Sequence, residues 1–118
     1  MRKRHLFLML LTLLIMNPAW SEIIKSRVIE EGGTGPYSAL MLAEASLPTH
    51  TVFRPQDVSQ FGADNPLPLI VWGNGACFDS PWEHINFLNE IASYGFLVIA
   101  TGIFPEAEGE PITARSSA

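Results

Sequence analysis

The feature that most constrains the fold is a succession of three segments between Leu69 and Ala100. Leu69–Trp72 and Phe96–Ala100 are short, continuously apolar stretches, and the residues between them have a helical pattern. Strands that are apolar on both faces are typical of parallel sheets covered on both sides. A strand, a helix and a second strand almost always form a right-handed parallel βαβ unit. The succession therefore predicts an α/β fold.

The boundaries of the helix are marked by local signals. Ser80, Pro81 and Glu83 suit an N-cap, a first helical position and the reciprocal partner of a capping box. Gly95 suits a left-handed C-terminal cap. The apolar residues that share one helical face are Trp82, Ile85, Leu88, Ile91 and Ala92, and the residues predicted to lie off it are Glu83, Asn86, Asn89 and Glu90.

Two further strands are predicted upstream. Apolar residues recur at every second position from Tyr37 to Leu47, and "THTVFRP" combines β-branched and aromatic residues before Pro55. We expect an antiparallel pair that turns near Ser46–Pro48, followed by a connecting loop, "QDVSQFGADNPLP". A parallel pair with one helix leaves faces and edges uncovered, so the predicted architecture is incomplete.

The N-terminal residues have the pattern of a cleavable export signal. "MRKRH" is basic, "LFLMLLTLLIM" is apolar, and Ala19 and Ser21 are spaced as before a signal-peptidase site. We expect cleavage after Ser21 and no stable membrane anchor, because eleven apolar residues are fewer than the roughly 20 that span a bilayer. Residues 22–35 are expected to be a lead-in loop. Residues 22–118 carry four Lys or Arg against twelve Asp or Glu, a net charge of −8, which argues against nucleic acid as a partner.

The glycine turn "WGNGACF" is the motif most indicative of chemistry, and two nucleotide interpretations are disfavoured. A dinucleotide loop needs glycine where Phe78 stands and an acidic residue closing the second strand, which instead runs into Ala100, Thr101 and Gly102. A P-loop needs Gly-Lys-Ser/Thr, which is absent from the sequence. A plain tight turn between strand and helix remains a further alternative.

A metal or thiol site at Cys77 is another interpretation of the same turn. Asp79 and His84 are near it in sequence, but one cysteine with scattered histidines is a weak metal signal. A Cys–His nucleophile pair stays open beside the commoner structural cysteine. His50 and His84 are expected to be packing or surface residues. Three aspartates that could be considered for a catalytic role are expected to be loop or capping residues: Asp57, Asp64 and Asp79.

The same region carries a family resemblance. The stretch "PLIVWGNGACF…NEIASYGFLVIAT" resembles the secreted platelet-activating-factor acetylhydrolase, dienelactone hydrolase and bacterial cutinase (polyesterase) group of the α/β-hydrolase superfamily. In that group a strand ends in a His-Gly-X-Gly or Pro-Gly-type turn, and the next helix closes before a second strand. The tail "GEPITARSS" resembles their stretch ahead of the nucleophile. The matches cover roughly residues 35–118.

The resemblance implies an incomplete N-terminal portion of an α/β-hydrolase sheet, an antiparallel pair followed by a βαβ unit, over residues 36–118. It implies ester hydrolysis through an acyl-enzyme, with an ester substrate and no metal or organic cofactor. Asn74 and Gly75 would supply backbone N–H groups to an oxyanion hole, and Gly73 would shape the turn. Trp72 departs from the His or Pro of many relatives.

The triad itself is absent from the sequence. No G-x-S-x-G nucleophile motif occurs in the 118 residues, and the acid and histidine follow the serine in chain order. We therefore expect a fragment of an exported serine hydrolase that is inactive alone, with no catalytic residue in this chain. The alternative is a small exported non-enzymatic interaction protein or a decayed gene product. Cys77, the single cysteine, is expected to pair with a cysteine outside these residues or to be a free thiol.

Overall fold

The computed structural model describes residues 22–106, which form one five-stranded sheet with a single α-helix. In chain order the elements are β1 (Ile23–Arg27), β2 (Ala39–Glu44), β3 (His50–Pro55), β4 (Leu69–Trp72), α1 (Ile85–Ser93) and β5 (Leu97–Thr101). Short 3₁₀ turns lie at Glu30–Gly32, Gly75–Cys77 and Trp82–His84. The predicted signal peptide, residues 1–21, and the tail from residue 107 lie outside the described part. Within residues 22–106 no helix has the length and apolar character needed to cross a bilayer.

The sheet is mixed, with the spatial order β1-β2-β3-β5-β4. β1 pairs antiparallel with β2, β2 with β3, and β3 with β5. β4 lies at one edge and pairs in parallel with β5, with Val71 opposite Ile99, and α1 lies in the connection between these two strands. The hairpin predicted to turn near Ser46–Pro48 joins β2 and β3.

The predicted fold class is wrong. Three of the four strand pairings are antiparallel, and one nine-residue helix accompanies five strands, so the described fold is a mostly-strand mixed sheet. It is not the βαβ portion of an α/β-hydrolase sheet. Two features were not predicted: β3 pairs antiparallel with β5, and β1 adds a further antiparallel strand within the segment expected to be a lead-in loop. The residues of β1, IIKSR, do not alternate between apolar and polar, so no strand pattern marks them in the sequence.

The hydrophobic core lies between α1 and one face of the sheet. Leu88 and Ala92 of the helix are completely buried against Met41, Phe53 and Val98 of three different strands. Removing such side chains from water is the main stabilising contribution in a domain of this size. The core accounts for the apolar face that the sequence predicts for the helix.

The other side of α1 is polar and holds the segment that precedes β2. The N–H of Thr34 donates to Glu90 Oε2 (2.9 Å), and the Thr34 hydroxyl bonds the same carboxylate. The N–H of Gly35 donates to Ser93 Oγ (3.0 Å), and the N–H of Tyr37 donates to the Ser93 carbonyl (2.9 Å). We call residues 29–37 the strap, because these bonds fasten them along the helix.

The helix begins later than the sequence predicts. The Ser80 hydroxyl accepts the N–H of Trp82 (3.2 Å), but a 3₁₀ turn follows and α1 starts only at Ile85. In residues 22–106 the second bond of the predicted capping box, from Ser80 to the Glu83 side chain, is not formed. At the other end Gly95 has the predicted left-handed conformation, with φ 92°.

Candidate functional site

The glycine turn lies at the carboxyl end of β4, beside the end of β5. Trp72 is the last residue of β4, and Gly73 and Asn74 follow it. A tight turn then runs from Gly75 to Phe78, where the Phe78 N–H donates to the Gly75 carbonyl (3.2 Å). The two central residues, Ala76 and Cys77, have φ values of 53° and 59°. Left-handed values at both central positions are typical of a type I′ turn, which normally uses Gly, Asn or Asp there.

The glycines of this turn stand where neither conformation nor packing requires them. Gly73 and Gly75 are outside the left-handed region, and a Cβ on either would meet no atom within 4 Å in the described chain. The left-handed positions are occupied by Ala76 and Cys77, where glycine would relieve strain. What glycine provides at Gly73 and Gly75 is therefore an uncovered backbone that faces open space.

The side chain of Asn74 holds the turn in place. Its amide nitrogen donates to the carbonyls of Thr101 (2.7 Å) and Phe78 (3.2 Å), and its oxygen accepts the indole N–H of Trp72 (3.1 Å). The bond to Thr101 ties the turn to β5. The glycine spacing predicts only a backbone role for Asn74, because the anchoring role of its side chain depends on Thr101, 27 residues away.

Among the backbone N–H groups of the turn, those of Asn74 and Gly75 have no acceptor within the described chain, residues 22–106. The Gly75 backbone is exposed and Asn74 is partly so. Accessible N–H groups in a rigid turn can receive a carbonyl oxygen or an oxyanion. This is the chemistry that the resemblance implies for these two residues.

A shallow cavity of about 220 Å³ adjoins the turn. Its lining includes Gly75, Phe78, Ser80 and His84. It is smaller than the roughly 300–1,000 Å³ typical of ligand pockets, so it has room for a small acyl group at most. His84 also packs edge-on against Trp72, with ring centroids 5.2 Å apart. His84 was predicted to be a packing or surface residue. In the structure it packs against Trp72 and also lines this cavity.

Cys77 is exposed within the turn. In the described residues no group of three His, Cys, Asp or Glu side chains is arranged to hold a metal ion. Asp57 accepts the N–H of Ser59 (2.9 Å), and hydrogen bonds from the Ser59 hydroxyl and N–H lower the pKa of its carboxyl. Asp57 is therefore a loop-stabilising residue, as expected.

A larger cavity, about 450 Å³, lies away from the turn. It is bordered by Arg27, Glu30, Trp82 and Asn86, among others. Arg27 Nε is buried there without an acceptor in residues 22–106, and the guanidinium lies 5.9 Å from the centre of the Phe104 ring. Its lining also includes the carboxylate residues Glu30 and Glu83, which disfavour a negatively charged ligand there.

The comparisons with known proteins add no relative. No protein-family model, curated protein or solved structure matches the chain.

Proposed function

We propose that this chain provides the oxyanion-binding turn of an exported ester hydrolase. In this proposal the backbone N–H groups of Asn74 and Gly75 bind the carbonyl oxygen of an ester and stabilise the negative charge that develops on it. The nucleophile and its histidine come from outside these 118 residues. The chain alone is therefore inactive, because no group starts the acylation step.

The observation that carries the proposal is the placement of the two glycines. Gly73 and Gly75 lie over open space with ordinary backbone angles, so a structural turn would tolerate side chains at both positions. A carbonyl oxygen must come within about 3 Å of a donor nitrogen, and a neighbouring Cβ would obstruct that approach. Asn74 supports the same interpretation, since its side chain is fully used in anchoring the turn and leaves the backbone N–H free.

A binding experiment tests this function without requiring turnover. Acetate is the probe, because its carboxylate oxygen stands in for the oxyanion. Titration of the ¹⁵N-labelled chain with acetate should shift the amide signals of Asn74 and Gly75. Gly75→Ala should abolish these shifts while the fold stays intact, because the added methyl group meets open space.

The matched control is Gly62→Ala. Gly62 is also exposed, outside the left-handed region and free of neighbours within 4 Å, but it lies in the loop before β4. Both substitutions should change the free energy of unfolding by no more than about 1 kcal/mol. Gly62→Ala should keep the acetate-induced shifts. If Gly75→Ala keeps them too, the glycines form only a plain turn and the proposal fails.

The catalytic half of the proposal has its own test. The purified chain should hydrolyse small aryl esters no faster than buffer. Turnover that disappears in Cys77→Ala would refute the proposal in favour of a cysteine nucleophile. Reading the coding DNA past codon 118 in all three frames should reveal G-x-S-x-G within roughly 60 residues, since a βα unit takes about 30 or more. If no such motif occurs, the non-enzymatic alternative replaces this function.

Export is part of the same proposal. The mass of the chain recovered from an exporting host should lack the first 21 residues, which form the predicted signal. Retention of the full mass in a membrane fraction would contradict cleavage after Ser21.

A further inference from the structure

We infer that Asn74 is a site of spontaneous deamidation, and that the hydrogen bonds of its side chain slow this reaction in the folded chain. Of the five asparagines in the sequence, only Asn74 is followed by glycine. Deamidation begins when the backbone nitrogen of the next residue attacks the side-chain amide carbon. Any side chain on that next residue hinders the attack, and glycine has none.

The reaction requires only water. The Gly75 nitrogen forms a bond to Cγ of Asn74 and gives up its proton, while the Cγ–Nδ2 bond breaks and ammonia leaves with that proton. The product is a succinimide ring. Water then opens the ring at either of its two carbonyl carbons, which leaves aspartate or isoaspartate at position 74. No electrons are transferred, so neither an oxidant nor a reductant is needed.

The attacking nitrogen of Gly75 is accessible to solvent. Its N–H forms no hydrogen bond with any residue from 22 to 106, and Gly75 is exposed. A Cβ on Gly75 would meet no atom of the described chain within 4 Å, so this side of the turn is open. Solvent can therefore remove the proton from the nitrogen and supply the water that opens the ring.

The amide of Asn74 is restrained, in contrast. Nδ2, the nitrogen that leaves, donates to the carbonyls of Thr101 (2.7 Å) and Phe78 (3.2 Å). Oδ1 accepts the indole N–H of Trp72 (3.1 Å). The amide must break these bonds before it can turn toward the Gly75 nitrogen. A hydrogen bond of ordinary net strength slows such a step about fivefold, so the folded chain should react roughly 30-fold more slowly than an unstructured peptide, or slower still.

The product cannot restore the bonds that hold the turn. A carboxylate has no N–H to donate, so an oxygen would take the place of Nδ2, which lies 2.7 Å from the Thr101 carbonyl oxygen. Two acceptors repel each other at that distance, and the reaction also adds a negative charge. The turn would therefore separate from β5.

This separation would regulate the site, and that step rests on the proposed function. The backbone N–H groups of Asn74 and Gly75 would lose their fixed position, and the new carboxylate beside them would repel an oxyanion. Deamidation would thus act as an irreversible switch that ends oxyanion binding as the protein ages.

Peptide mass mapping of the purified chain, incubated in a mildly alkaline buffer, measures the reaction. The mass increase of an amide-to-carboxylate conversion should accumulate at Asn74 before any other asparagine. A synthetic peptide of residues 72–78, which lacks the Thr101 carbonyl and the fixed turn, should convert at least roughly 30-fold faster. Gly75→Ala should slow the conversion of the folded chain, because its methyl group hinders the attack.

Two tryptophan variants isolate the effect of one hydrogen bond. Trp72→Phe removes the indole N–H that binds Asn74 Oδ1, and should speed the conversion about fivefold. The matched control is Trp82→Phe. The Trp82 indole N–H forms no hydrogen bond within residues 22–106, so this variant should convert at the rate of the unmodified sequence.

Three results would overturn the inference: no conversion at Asn74 in the folded chain, conversion as fast as in the peptide, or equal acceleration in both tryptophan variants. The regulatory step is tested separately. The aged chain should lose its acetate-induced amide shifts in proportion to the fraction converted, and shifts that persist after full conversion would refute the switch. Deamidation is read from mass and the proposed function from acetate binding to the fresh chain, so the failure of one is distinguishable from the failure of the other.

Discussion

Replacing Asn74 with alanine removes all three hydrogen bonds that fasten the glycine turn. The side chain joins the carbonyls of Phe78 and Thr101 to the indole N–H of Trp72, at 3.2, 2.7 and 3.1 Å. Each bond contributes about 1 kcal/mol net, and the site is only partly buried, so water can satisfy some of the freed groups. We expect the free energy of unfolding to fall by about 2–3 kcal/mol. For a domain of this size, that lowers Tm by on the order of 10–20 °C.

Urea unfolding monitored by tryptophan fluorescence measures this loss, and Asn65→Ala is the control. Asn65 Nδ2 makes a single hydrogen bond to the Gln60 carbonyl (3.0 Å) in an exposed loop, so its removal should cost no more than about 0.5 kcal/mol. The acetate-induced shifts should also weaken in Asn74→Ala, because an unfastened turn no longer holds its N–H groups in one place. If the two variants lose equal stability, Asn74 does not anchor the turn.

Two other substitutions probe the conformation at Gly102 and the charge at Glu90. Gly102→Ala would place a Cβ 2.6 Å from the Asp79 carbonyl oxygen at φ 114°, and should lower the free energy of unfolding by more than about 2 kcal/mol. A loss as small as that of Gly75→Ala in the same urea titration would contradict this. Hydrogen bonds from the Thr34 hydroxyl and N–H lower the pKa of Glu90 from its ordinary 4.5. Its contribution to stability is therefore present above pH 4.5 and lost as the pH falls through the lower folded pKa. The Thr34 amide shift should follow this loss in an NMR pH titration, and Glu90→Gln should remove the dependence; an unchanged curve would disprove the link.

Local sequence patterns predicted β4 and β5, which consist largely of apolar residues, and missed β1, which is mostly exposed. β4 is found at its predicted residues, because four consecutive apolar residues before a glycine leave few alternatives. β1 has no such signal: it lies at an edge, both of its isoleucines are exposed, and it carries Lys25 and Arg27. The antiparallel pairing of β3 with β5 joins segments about 45 residues apart, so neither this pairing nor β1 could be predicted from local sequence.

The position of the glycine turn after β4 follows from the sequence, but the contacts that hold the turn do not. The glycine spacing predicts Gly73 and Gly75 as residues of the site. In the structure neither the backbone conformation nor the packing of the turn requires glycine at these two positions. The anchoring bonds of Asn74 reach Thr101 on another strand, 27 residues away, and such a contact depends on strand order rather than on local sequence. In the local sequence, the only sign of these bonds is the amide side chain of Asn74 between two glycines.

The strap along α1 has a consequence for how the chain is made. Thr34 and its partner Glu90 are 56 residues apart, and Gly35 and Ser93 are 58 apart. At about 5–20 residues per second, a ribosome completes Glu90 roughly 3–11 s after Thr34. During that interval the strap has no helix to bind. We therefore expect the native arrangement to assemble only late in synthesis, after α1 has been made.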